Sequence, residues 1–95
     1  MTEEKDRGFS MLVAVVNGGD AESVMAAAKS AGANGGTIIP ALGTGSPDSN
    51  KEIVMILTSA SKRQEILEAI STDLNSDGKG IAFSMPVDDV VGIIG

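Results

Sequence analysis

No cysteine, histidine, tryptophan or tyrosine occurs among the 95 residues, and two phenylalanines are the whole aromatic content. Without cysteine there is no disulfide, no thiolate nucleophile and no Cys-ligated metal. Without histidine the commonest general base and the commonest metal ligand are missing, so acid–base chemistry would have to run on carboxylates, hydroxyls or lysines. An enzyme is therefore not expected, and no catalytic residue is assigned. Basic residues are also few: seven Lys and Arg stand against thirteen Asp and Glu, a net charge of −6. That sign is wrong for holding nucleic acid or an anionic membrane. No run approaches the ~20 apolar residues of a membrane span, and the charged "MTEEKDRG" lacks the apolar stretch of a secretion signal. The expectation is a cytoplasmic protein with no membrane insertion and no nucleic-acid partner. With so few aromatics the core falls to Val, Ile, Leu, Met and Ala, and a domain of this length gains by burying further surface in an oligomer.

What is present organises itself by punctuation. "FSMLVAVV", residues 9–16, is short, β-branched and almost wholly apolar, and it ends at "NGGD", so it reads as a strand and a tight turn. Asp20 is placed to cap the helix that follows, with Glu22 adding charge in its first turn. Val24, Ala27, Ala28 and Ala31 recur at helical spacing as its core stripe, and Gly32 stops it. "TIIPAL" is a second strand whose Pro40 cannot donate to a ladder, which sends it to a sheet edge or a bulge. "GTGSPDSNK" is a loop and "EIVMILT" a third strand. Ser61 with Gln64 reads as a capping box for a second helix buried on Leu67, Ile70 and Leu74. "NSDGKG" is a turn, "IAFSM" a fourth strand, and "PVDDVVGIIG" a turn or 3₁₀ piece with a last apolar segment. Met25, Met55 and Met85 read as core filler.

The order β-α-β-β-α-β is the split pattern of ferredoxin-like folds. The predicted class is α+β: a ferredoxin-like sandwich, an antiparallel sheet with two helices on one face, in a single domain over residues 1–95 with 1–8 a flexible N-terminus. A sheet covered on one face should alternate apolar and polar residues. "LVAVV" and "IVMIL" do not alternate. The second face must then be covered from outside, which predicts a symmetric homo-oligomer with sheets packed inward. The other reading is that Ser10, Ala14 and Thr58 supply enough small or polar positions for a monomer.

Five of the twelve glycines fall within residues 32–45. "GGT" at 35–37 and "GTG" at 43–45 combine close backbone approach with a threonine hydroxyl, groups that could line a phosphate or ribose. Neither has the strand-then-helix setting of a P-loop or dinucleotide fingerprint, because a strand separates them, and taken alone turn chemistry is the simpler reading. "NGGD" offers helix N–H groups, but Asp20 already fills that place. "DGKG" at 77–80 puts a lysine between glycines, within reach of a phosphate or merely solvated. Asp88 and Asp89 are adjacent and read as a solvated or capping pair.

The element order, with "GGTIIPALGTG" after the first helix, "KEIVMILT" opening the third strand and "GKGIAFSMPVDDVVGI" at the end, resembles the P-II nitrogen-regulatory signal proteins over Phe9 to Ile94, most of all their small P-II-like relatives. The resemblance implies a homotrimer of ferredoxin-like subunits that binds an adenine nucleotide (ATP, ADP or AMP) in the clefts between neighbours. It implies regulation of a protein target, an enzyme, transporter or channel, through the loop between strands two and three. No metal cofactor is expected. The resemblance assigns Gly35, Gly36 and Thr37 to the base and ribose, Gly43, Thr44 and Gly45 to the loop root, and Gly78, Lys79 and Gly80 to a phosphate turn. The chain also departs from the family. Ser46 and Pro47 stand where Arg-Gln is usual, "VVGIIG" replaces C-terminal arginines, and Lys79 lies about one position from the family lysine. Only five residues separate Gly45 from Lys51, and no tyrosine is present for nucleotidylation. A triphosphate needs more than one cation close by, so ADP, AMP or another adenylated ligand stands beside ATP. Two further readings are a metal-related trimer similar to the divalent-cation-tolerance proteins, with carboxylates as its only ligands and so restricted to hard cations, and a ligand-free structural assembly module.

Overall fold

The computed structural model describes residues 8–45, 49–77 and 80–92. Residues 1–7 of the expected N-terminal segment, Ser46 and Pro47, and Gly78 and Lys79 of the expected phosphate turn lie outside the described residues, as do 93–95. Strand β1 (Phe9–Asn17) leads to helix α1 (Ala21–Ser30), β2 (Thr37–Gly43) and β3 (Ser49–Ser59). A 3₁₀ turn (Ala60–Lys62), α2 (Arg63–Asp77) and β4 (Ile81–Val87) follow. This is the ferredoxin-like α+β order. The sheet is antiparallel throughout, with strands in the order β2-β3-β1-β4.

The most apolar runs, β1 and β3, take the two central places. Both edge strands carry a proline, Pro40 in β2 and Pro86 in β4. The expectation for Pro40 holds for the reason given: a residue without an N–H is tolerated where one side of the strand has no ladder to feed, and it blunts the edge against further pairing.

Burial alternates strictly along β1 even though the chemistry does not. Ser10, Leu12, Ala14 and Val16 are buried beneath the helices, together with Val54, Ile56 and Thr58 of β3. Against them α1 sets Val24, Met25 and Ala28, and α2 sets Ile66, Ile70 and Leu74. The core stripe of α1 is rotated from the expected one: Ala21 and Met25 are buried, whereas Ala27 and Ala31 are only half-buried. In α2, Ile66 joins the core, and Leu67 packs against its margin.

Helix ends follow the expectation at one end and depart from it at others. Gly32 has φ +113°, its N–H bonds to Lys29 O at 3.1 Å, and Ala33 N–H reaches Ala28 O at 3.0 Å. That pair of bonds is the glycine-terminated Schellman motif. The capping box at Ser61 does not form. A 3₁₀ turn intervenes, Ser61 Oγ lies 3.2 Å from Ser59 Oγ, and the Gln64 amide donates to Glu68 Oε2 one turn on, an ordinary i,i+4 pair.

Among the described residues, the sheet's other face carries no helix. On it Met11, Val13 and Val15 of β1 lie between Leu57, Met55 and Ile53 of β3 and Met85, Phe83 and Ile81 of β4. Ile81, Phe83 and Met85 are exposed. Met55 and Met85 therefore lie on this open face rather than in the subunit core, unlike Met25. Ser10, Ala14 and Thr58, the residues that would have made the sheet tolerable to water, are all on the covered side. The uncovered side is apolar at its centre. Toward one end of β1 and β3 it finishes in a polar rim, where Asn17 pairs with Lys51.

Candidate functional site

Strand register decides which of the expected site residues come together. Gly43 pairs with Ser49, Lys51 with Asn17, and Val15 with Ile81, so one end of the sheet gathers the end of β2, the start of β3, the end of β1 and Gly80 just before β4. Gly43, Thr44, Gly45 and Gly80 thus share this end. Gly35, Gly36 and Thr37 sit at the opposite end of the seven-residue β2, about 20 Å away at roughly 3.4 Å per residue. Within one subunit the two glycine groups do not line one cleft.

At the shared end, three consecutive residues entering β3 hold the β1–α1 turn. Gly18 N–H donates to Asn50 O at 3.0 Å, Lys51 Nζ donates to Asn17 Oδ1 at 2.8 Å, and Glu52 Oε1 accepts from Gly19 N–H at 2.9 Å and Ala21 N–H at 3.0 Å. The expected cap, Asp20, makes no side-chain cap bond among the described residues. Glu52 supplies it instead, placing a carboxylate at the positive end of the α1 dipole. The stem of Lys51 crosses Gly43 closely: a Cβ on that glycine would lie 3.1 Å from Lys51 Cε. A cation therefore stands beside the loop root, on the open-face side, where the sequence shows none at Ser46. Gly80 has φ +114°, and a Cβ there would meet Val15 O at 3.0 Å, so both its conformation and its space demand glycine.

At the other end, Gly35 and Gly36 line an open groove of about 490 Å³ with Glu22, Met25, Ala26, Lys29 and Ile38. Gly36 also has a packing role. An added Cβ would sit 2.8 Å from Met25 Sδ and 2.9 Å from Met55 O. A second groove, about 420 Å³, runs between α2 and β4 from Gln64 to Gly80. Among the described residues no three acidic side chains gather as a cation site.

Asn17, Lys51 and Glu52 were not singled out from the sequence. "NKE" before an apolar strand looks like the solvated end of a loop, and only the pairing of β3 with β1 shows what it faces.

Residues 9–94 match the family model described as Nitrogen regulatory protein P-II. Among curated proteins no sequence matches the chain. Of solved structures, PII from Arabidopsis thaliana bound to citrate superimposes with a TM-score of 0.77 at 23% identity, covering 93% of this chain and 85% of that one. A PII-like signaling protein of Thermus thermophilus gives 0.67 at 25% identity over 83% of this chain and 85% of the other. A Bacillus cereus protein related to NIF3 gives 0.74 at 19% identity over 87% of this chain but only 26% of its own length, a likeness of fold alone.

Proposed function

The chain belongs to the P-II family of regulatory signalling proteins, and from that premise we propose that it works as a cytoplasmic, non-enzymatic homotrimer that binds an adenine nucleotide between subunits and controls a protein target through the β2–β3 loop. The family name points the regulated process toward nitrogen metabolism. The observation that carries the reading is the open sheet face. An apolar surface centred on Val13, Met55 and Phe83 is the kind of patch that a stable soluble protein covers with a partner, and identical subunits covering it for one another close the assembly by symmetry.

Placement of the glycines supports the same assembly. Since Gly35–Thr37 and Gly43–Gly45 occupy opposite ends of β2, a cleft using both groups takes one from each of two neighbours. At the loop root Lys51 supplies one cation beside Gly43. A single lysine is a modest counter-charge, which favours ADP or AMP over ATP unless Lys79 contributes as well.

Light scattering on the purified protein is expected to give three times the chain mass. Calorimetric titration with ATP, ADP and AMP is expected to show one site per subunit, with ATP no tighter than ADP. A monomeric mass refutes the assembly; no heat and no thermal shift from any of the three nucleotides refutes the ligand.

A further inference from the structure

The downstream arm of the β2–β3 loop is fastened to the β1–α1 turn almost residue by residue: Asn50 to Gly18, Lys51 to Asn17, and Glu52 to Gly19 and Ala21. One Glu52 carboxylate oxygen accepts from two N–H groups at a helix start, the charge-assisted type of bond that exceeds a neutral pair. A helix normally takes its cap from the residue just before it. Here Asp20 occupies that place without making the bond among the described residues, and the cap comes from a strand 31 residues further along the chain. Glycines make the approach possible. A Cβ on Gly18 would lie 3.2 Å from Asn50 Cβ, and Gly19 adopts φ +96°. A cap supplied locally would serve α1 as well; one supplied from β3 also ties α1 to the root of the loop.

We infer that Glu52 is a positioning residue that makes the β2–β3 loop root and the N-terminus of α1 one mechanical unit, so that an event ordering the loop root is felt at the start of α1. The functional consequence rests on the loop being the signalling element proposed above; the coupling itself rests on the geometry alone. Because coupling is reciprocal, loosening the helix start must loosen the loop root in turn.

Amide hydrogen exchange on the full-length protein without ligand tests this, comparing wild type with Glu52→Ala and Glu52→Gln. In Glu52→Ala the amides of Gly19 and Ala21 are expected to exchange at least tenfold faster, and those of Gly43, Asn50 and Lys51 at least threefold faster. Leu12 and Val13, at the centre of β1, should keep wild-type rates. Glu52→Gln retains a carbonyl acceptor without the charge and should fall between, with both regions moving together. If Glu52→Ala loosens the whole sheet, the Gln variant decides by the same comparison. Acceleration at Gly19 and Ala21 with the loop root unchanged, in whichever variant stays folded, overturns the inference and leaves Glu52 a simple cap; so does no acceleration anywhere. If the wild type fails to bind ADP while the exchange rates move together, the proposed ligand falls and the coupling stands.

Discussion

Replacing Gly36 by alanine separates a packing role from a binding role at the glycine pair that precedes β2. The added methyl carbon would lie 2.8 Å from Met25 Sδ, 2.9 Å from Met55 O and 3.0 Å from Ile56 Cγ1. Met25 lines the open groove and its flexible thioether can give way, so the approach to Met55 O decides the cost. Met55 O belongs to a central strand paired on both sides, and moving it means disturbing the ladders with β1 and β2. Overpacking of this kind costs about 1–3 kcal/mol. For a domain of this size each kcal/mol lowers Tm by about 4–8 °C, so a fall of roughly 5–20 °C is expected. Thermal unfolding should be followed by circular dichroism at one fixed protein concentration, because any association between copies would make Tm depend on concentration. Gly45→Ala is the control. No described heavy atom lies within 4 Å of its added carbon, and a surface change of that kind stays within about 0.5 kcal/mol. A Gly36→Ala protein as stable as wild type refutes the reasoning, as does a Gly45→Ala protein destabilised to the same degree. Should both lose nucleotide affinity, only the loss at Gly45 can be read directly as a contact.

Two other substitutions test the sheet. Gly80→Ala combines a left-handed φ with a 3.0 Å approach to Val15 O and should cost more than about 1 kcal/mol, seen as a lower urea midpoint at unchanged m; an unchanged midpoint would refute the strain. Val13→Asp puts a charge between Met55 and Phe83 at the centre of the open face. It is expected to reduce the light-scattering mass to that of a monomer with the far-UV spectrum retained, and an intact trimer would refute assembly through that face.

Much of the fold was legible because its signals are local. Apolar β-branched runs, glycine stops and the proline at 40 each act within a few residues, and their order admits few topologies. Gly32 ended α1 as a left-handed glycine should. The expected cap at Asp20 does not form, and a carboxylate from β3 instead accepts from Gly19 and Ala21 N–H at the same helix start. The capping box at Ser61 failed because a 3₁₀ turn displaced the helix start to Arg63. Met55 and Met85 were assigned to the core on hydrophobicity alone, and hydrophobicity does not say which face of a strand a residue points to when both faces are apolar.

The site divides in the same way. Glycine clusters around 35 and 43 were visible in the one-dimensional pattern, since few residue types permit so close a backbone approach. That seven strand residues hold them about 20 Å apart follows from the geometry of β2. The sequence alone determined an apolar, poorly alternating sheet, its order of elements, and the absence of histidine and cysteine chemistry. Tertiary structure decided that Lys51 stands beside Gly43 and that Glu52 caps α1, because those neighbours are set by the register between β1, β2 and β3, a long-range choice that no local run of residues encodes.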